Sequence, residues 1–365
     1  MSSITAAPSP NEYNVKYYTQ HAKGGAGLIL TEGTLVSQQG TEWPGAPGIW
    51  NEDQVNGWRK VTDSVHKVGG VIFCQLMHSG RLAQPDMEAQ KQPGKPVVGP
   101  SAIAARGGQF RQLPGEPRHV VFSLSTRIET EPFFLFLSAI DYSSNQRTDE
   151  WGGSSENRSK FGIEVTKALI DVWGPAQVGG KVNPCGGLRD MGMSYSDTIM
   201  TYTYFLTQTS ALKVAYITLI RHVHFLDPLI PGETELKRGT PHQVLALYGP
   251  VVKPLPHVLK AHSEEAYRGL AMPSSELGYL NPTPTRLFVN GGLTPREADQ
   301  LIADGMIDGA VFGSLWLVNP DYQKRLEKGM DIDGKGINQV LDFKTFYGVP
   351  GVDPRVGYTD YPTAT

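Results

Sequence analysis

The chain is poor in cysteine, in any excess of one charge, and in long apolar runs. Only two cysteines, Cys74 and Cys185, occur in 365 residues. Both lie in apolar, strand-like contexts, so no disulfide framework is indicated and a reducing compartment is the simpler expectation. Lys+Arg 33 against Asp+Glu 36 leaves a net charge of −3, which favours neither nucleic acid nor an anionic membrane as a partner. No apolar window approaches the length of a transmembrane helix. The N-terminal Met1-Ser2-Ser3-Ile4-Thr5-Ala6-Ala7-Pro8 has no basic stretch followed by an apolar core, so it does not read as a secretory signal. A metal site is not expected either. His222 and His224 stand two apart with no third ligand in evidence, and a satisfied surface pair is the simpler reading. A cytoplasmic protein acting on a small molecule is the expectation, with no oligomeric state legible.

What the chain does have is alternation. Short apolar runs recur at Gly27 to Leu30, Val71 to Leu76, Gln177 to Val182, Val214 to Ile220, Leu287 to Val289 and Gly309 to Phe312. Amphipathic helical patterns separate them. Asn51 to Val68 places Val55, Trp58, Val61, Val65 and Val68 at helical spacing, with a start signal at Asn51-Glu52-Asp53 and a stop at Gly69-Gly70. Asn157 to Trp173 groups Phe161, Val165, Ala168, Leu169 and Val172 on one side. Pro295 to Asp304 begins with Thr294 as N-cap and Pro295 in the first helical position. Strands alternating with helices predict a parallel sheet with its loops gathered at the strands' carboxyl ends.

Gln75 ends one such strand, before Leu76-Met77-His78-Ser79-Gly80-Arg81. Its carboxamide offers a donor and an acceptor, which suits a heteroaromatic ring with both kinds of edge. The plainer reading is a capped core strand with a satisfied amide.

The chain resembles the old yellow enzymes, the flavin-dependent ene reductases, in their fungal form. The resemblance runs from about Asn11 to Pro362 with two gaps. It rests on Gly24-Gly25-Ala26-Gly27-Leu28-Ile29 with Thr31-Glu32-Gly33, on Ala46-Pro47-Gly48-Ile49-Trp50, and on Gln75-Leu76 with His78 and Gly80-Arg81. Further support is Ser144-Asn145-Gln146-Arg147-Thr148-Asp149-Glu150-Trp151-Gly152-Gly153-Ser154 with Glu156-Asn157-Arg158, and Asn319-Pro320-Asp321. It implies an α/β fold, a (β/α)8 TIM barrel forming one domain over residues 1–365, with FMN across its carboxyl-terminal mouth and NADPH as hydride donor. By resemblance, Gln75 reads the pyrimidine edge of the flavin and Gly33 lets the backbone approach the ring. Lys181 places a cation near N1 and O2, which favours the anionic reduced ring; the alternative is a lysine reaching solvent. Gly291 and Gly292, then Gly313 and Ser314, match the phosphate-holding loops after strands seven and eight. Many members carry arginine where Ser314 stands. Tyr347 matches a cavity-lining aromatic, or else is a packed surface tyrosine.

Two departures are large. The family's first strand, ending in a Met-Ala-Pro-Leu-Thr-Arg-like motif, has no counterpart, and Thr5 does not replace it, so the barrel is expected to be incomplete. Between His119 and Ser144 the family has a strand ending in His-x-x-Asn or His-x-x-His, whose donors hold an enone carbonyl, followed by a proton-donating tyrosine. Residues Val120 to Tyr142 contain no histidine or asparagine. Phe133 to Ile140 is the expected replacement strand. The catalytic residues are therefore unassigned, with Tyr142 as a candidate acid and His78 as a candidate carbonyl donor. A proline-rich stretch, Pro254 to Arg286, reads as an inserted loop. The expected function is an FMN-dependent NAD(P)H oxidoreductase reducing an activated C=C bond, in fungal secondary metabolism by resemblance. The competing readings are a non-redox isomerase or cyclase on a degenerate barrel, and an inactive remnant or faulty gene model.

Overall fold

The computed structural model describes residues 9–43, 45–83, 85, 88–91, 94, 96–105, 139–187, 191–223, 240–253, 285–330, 336–340 and 353–364. In chain order the elements are α1 (Glu12–Lys23), β1 (Ile29–Leu35), α2 (Glu52–Lys67), β2 (Ile72–Met77), α3 (Glu88–Lys91), α4 (Ser155–Trp173), β3 (Gly179–Val182), α5 (Tyr195–Ala211), β4 (Tyr216–Ile220), α6 (Val244–Val252), β5 (Arg286–Asn290), α7 (Pro295–Ala303), β6 (Gly309–Val311), α8 (Ser314–Val318) and α9 (Tyr322–Glu327). They fall into two compact units.

The first unit holds Met1–Ser79, Ala83–Val97 and Phe312–Thr365. Its sheet pairs β1 with β2 in parallel, with an irregularity between Leu30 and Gly33. The helices start where side chains satisfy free amides. Asn11 caps α1 through Tyr13 N–H, and Asn14 returns a bond from Asn11 N–H. Asn51 caps α2 through Gln54 N–H. Tyr18, Ile29, Trp58, Val61 and Val65 form the core. Each fully buried valine there contributes about 1.5–3 kcal/mol. Val55 and Val68, expected on the same apolar face, are exposed, Val55 near the start of α2 and Val68 just past its last residue. The Ala46-to-Trp50 motif extends β1. Leu35 N–H donates to Pro47 and Ile49 N–H donates to Leu35. Gly48 is glycine because a Cβ there would fall 2.1 Å from the Trp50 ring.

The second unit holds Gly80–Leu82 and Val98–Val311. Its sheet is parallel throughout, in the order β3-β4-β5-β6. Ile217, Leu219, Leu287 and Val289 are almost fully buried on one face. The other face carries Lys181, Thr218, Phe288 and Asn290, since alternate residues point to opposite sides. Ser154 caps α4 and Ser194 caps α5. On α4 Phe161 is buried, but Ala168, Val172 and Trp173 are exposed. The expected apolar stripe is therefore covered at the amino-terminal half of the helix only.

The Asn145-to-Arg158 block is a clamp. Asn145 donates to the carbonyls of Ala139 and Trp151, at 2.6 and 2.8 Å. Arg158 donates to Ile140 O at 2.9 Å, to Gly153 O, and to Thr201 Oγ1 at 2.9 Å. These bonds tie the chain before α4 to α4 and α5.

The expected strand over Phe133 to Ile140 is not seen where it can be checked. Ala139 and Ile140 are helical, and both are buried under the Asn145 and Arg158 bonds. Residues 106–138 lie outside the described residues, as do 254–284 of the expected inserted loop. Arg286, its expected last residue, belongs to β5 instead, because it continues the register with Tyr216. Cys185 is not on a strand but in the turn after β3; Cys74 is on β2, and neither is in a disulfide.

Candidate functional site

In the first unit, the strand ends bring Gly33 and Gln75 together. They are register partners, as are Leu35 and Met77. Thr31 fixes the crossing, its Oγ1 accepting from Gln75 N–H at 2.8 Å. A Cβ on Gly33 would meet Met77 Sδ at 2.5 Å and the Gln75 amide nitrogen at 3.6 Å, so a side chain there would have to displace the buried Met77. The Gln75 carboxamide is half-buried and bonds to no described group. His78 follows, fully buried, with its ring against Gly40, where a Cβ would come within 2.8 Å. Burial pushes its imidazole down to about 4, so the ring is neutral at pH 7.

Sequence reasoning passed over the neighbouring Glu32. Tyr18 Oη donates to its carboxylate at 3.3 Å and accepts from its backbone N–H at 3.0 Å. Burial pushes the Glu32 carboxyl up to about 7. An acidic residue inside an apolar strand, one helix away from a tyrosine pair, was the available signal.

Gly313 and Ser314 also lie in this unit. Gly313 caps α8 and Ser314 is its first residue. Both are exposed, and a Cβ on Gly313 would meet nothing within 4 Å.

In the second unit, Lys181 sits on β3 in register with Thr218. Its ammonium makes no hydrogen bond or ion pair with a described residue, and burial lowers its pKa. Phe288 and Tyr216 stack at 5.0 Å on the same face. Glycines make room for both rings: a Cβ on Gly179 would lie 2.2 Å from Tyr216, and one on Gly309 would lie 2.9 Å from Phe288. At the end of β5, Gly291 and Gly292 have φ of +104° and +67°. Both φ values lie in the region that favours glycine, and a Cβ on Gly291 would fall 2.8 Å from Arg221 O. Arg221 braces this turn, donating to Gly291 O at 2.9 Å and pairing with Glu297 of α7 at 2.5 Å.

Tyr142 is occupied structurally. Its Oη accepts from Ser194 N–H at 3.3 Å, and the Arg158 guanidinium lies 5.9 Å from its ring centroid. Tyr347 and His224 lie outside the described residues. Among the described residues no group of three or more His, Cys, Asp or Glu is placed to hold a metal, and no helix is long and apolar enough to cross a membrane. A cavity of about 40 Å³ lies among α4, α5 and β3. Its walls, including Val165, Leu169, Phe205, Leu206 and Ile217, are apolar, and it is too small for a three-ring cofactor.

Parallel strands alternating with helices, and polar groups at the strands' carboxyl ends, define an α/β barrel-type enzyme. Solved structures of this class match along the chain's length. An old yellow enzyme homologue from Zymomonas mobilis aligns with a TM-score of 0.72 and 25% identity, covering 99% of this chain and 93% of its own. The old yellow enzyme from Trypanosoma cruzi shares the fold with a TM-score of 0.75 at 23% identity, over 100% of this chain and 93% of its own. The fold is thus that of the old yellow enzyme barrels, here with the described strands in a two-stranded and a four-stranded sheet.

The model of the NADH:flavin oxidoreductase / NADH oxidase family matches residues 1–120 and 132–266, and the chain belongs to that family of FMN oxidoreductases. The break after residue 120 falls where the family's pattern is lost from the sequence. Flavin oxidoreductase hxnT of Emericella nidulans is 30% identical over 97% of this chain and 88% of its own length. A protein of Epichloe festucae var. lolii described as a probable inactive reductase, easA, is 29% identical over 97% and 86%.

Proposed function

We propose that the protein binds FMN, takes hydride from NADPH and delivers it to an activated C=C bond of a small molecule such as an enone or enal, or to a simpler acceptor as a diaphorase. The observation that carries this reading is the free Gln75 carboxamide beside Gly33. A part-exposed amide with no described partner keeps both its donor and its acceptor available to a ligand. Each unit, taken by itself, carries groups whose chemistry suits part of FMN. Gln75 offers the donor and acceptor that a pyrimidine edge needs, and Gly33 leaves the strand bare beside it. The unpaired Lys181 ammonium suits the end of the ring where negative charge develops on reduction. Gly291 and Gly292 suit a phosphate through their amides. Bound FMN supplies a two-electron store between donor and acceptor.

Gly313 with Ser314, and Tyr347 as a cavity-lining residue, complete the proposed set. Neutral His78 could only donate one imidazole N–H to a carbonyl. It cannot supply a cation at pH 7. Tyr142 accepts from Ser194 N–H, which leaves its own O–H proton to give.

A second reading has its own support. The break in the family match at residues 121–131 and the relative described as inactive both favour loss of enone chemistry, with a retained flavin or a non-redox isomerase role. Absorbance of the purified protein, followed by NADPH oxidation with and without cyclohexenone, separates these outcomes. Yellow protein with enone-dependent turnover supports the first reading. Folded protein that stays colourless with added FMN refutes it.

A further inference from the structure

Arg221 stands one residue past β4 and grips two consecutive carbonyls at the end of β5. Its backbone N–H donates to Asn290 O at 2.8 Å, and its Nε–H donates to Gly291 O at 2.9 Å. The rest of the guanidinium forks onto Glu297 in the first turn of α7, Nη1 to Oε1 at 2.5 Å and Nη2 to Oε2 at 3.3 Å. The approach is close: a Cβ on Gly291 would meet the backbone O and N of Arg221 at 2.8 and 3.1 Å. In a planar trans peptide the C=O and the N–H point in opposite directions. With the Asn290 and Gly291 carbonyls both turned towards Arg221, the N–H groups of Gly291 and Gly292 are both turned away from it. Neither N–H bonds to a described residue. Gly291 is half-buried and Gly292 exposed, so both amides are open to a ligand.

We propose that Arg221 is the positioning residue of this turn. By holding the carbonyls of Asn290 and Gly291 it aims the amides of Gly291 and Gly292 at the phosphate of FMN. By pairing with Glu297 it keeps that carboxylate from opposing the anion. The phosphate rests on the function proposed above; the orientation of the two peptides does not. Lysine is no substitute for the guanidinium here. An ammonium is a point charge, whereas the planar fork serves a carbonyl along one edge and a carboxylate along another. The effect is confined to the phosphate. Riboflavin has the same ring and no phosphate, so it gives the oriented amides nothing to bind.

The test compares FMN with riboflavin by fluorescence titration of the full-length protein freed of flavin. Wild type should bind FMN the more tightly. In Arg221→Met the ratio of FMN to riboflavin affinity should fall by about tenfold, with riboflavin affinity unchanged. Arg221→Lys keeps the charge without the fork and should show most of the same fall. Arg221→Met combined with Glu297→Gln should also lower the ratio and serves if the single variant does not fold. An unchanged ratio in the methionine variants overturns the proposal, as do an equal fall for both flavins and a full wild-type ratio in Arg221→Lys. Wild type that binds both flavins equally overturns it too, and leaves the flavin reading standing. Wild type that binds neither flavin refutes the flavin reading, and inorganic phosphate then decides the turn. The Gly291 and Gly292 amide resonances should shift with added phosphate in wild type and stay still in Arg221→Met. No shift in wild type, or an equal shift in both proteins, overturns the proposal.

Discussion

Gly33 of β1 and Gln75 of β2 face each other in register, one with no side chain and the other with a carboxamide that bonds to nothing described. The pairing makes a flat, polar-edged strip at the carboxyl ends of two parallel strands. Gln75→Leu keeps the volume and removes both hydrogen-bonding groups. We expect FMN affinity to fall ten- to a hundredfold, from about 1–3 kcal/mol of lost hydrogen bonding. Fluorescence titration of free FMN checks this. An unchanged affinity would mean that Gln75 is a packing residue.

Gly33→Ala should destabilise the fold before any ligand is considered. The new Cβ would press on Met77 Sδ, 2.5 Å away on a side chain that is itself 2% exposed. Overpacking of this kind costs about 1–3 kcal/mol. A urea-unfolding cycle with Met77→Ala should show coupling above about 0.5 kcal/mol, because the smaller residue makes room for the methyl. Additive losses would contradict the contact.

Lys181→Met should raise the stability of flavin-free protein. It removes a half-buried ammonium that has no partner and keeps an apolar stem. The same change should weaken flavin reduction by NADPH. The urea midpoint of the apoprotein and stopped-flow bleaching of the flavin are the two readouts. A loss of apoprotein stability would mean that the ammonium has a partner.

Two buried groups of the first unit give opposite pH dependences. Glu32 is raised from 4.5 to about 7 in the fold. It binds its proton more tightly folded than unfolded, so its contribution is present below pH 4.5 and lost as pH rises through 7. His78 is lowered from 6.5 to about 4. Its contribution is present above pH 6.5 and lost as pH falls through 4. Each amounts to about 3 kcal/mol, and they offset one another between pH 4.5 and 6.5. The urea midpoint of Glu32→Gln should therefore climb steeply from pH 4 to 6.5, where that of the wild type stays flatter. Parallel profiles would remove Glu32 from the account.

Much of the fold was legible because its signals are local. Asn51 and Thr294 cap helices where the sequence reads a start, α4 begins at Ser155, two residues before its expected start, and a glycine pair follows β5. Strand boundaries were less so. β1 runs on through Thr31-Glu32-Gly33 to Leu35, because its polar residues bond to Tyr18 and Gln75 rather than to solvent. Gly33, Gln75 and Lys181 were found through a family resemblance. Their lack of partners is a property of packing that sequence does not carry. Arg221 was invisible for a like reason: an arginine after an apolar strand is an ordinary strand end until the fold sets it against Gly291 O and Glu297. Asn145 and Arg158 stood out by pattern, yet their bonds show a clamp and not a reactive group.

The flavin content of the purified protein tests the central claim most directly. The account predicts a yellow protein that releases close to one FMN per chain on denaturation, or that binds added FMN when purified without it. A folded protein that stays colourless and leaves the fluorescence of added FMN unchanged would contradict it.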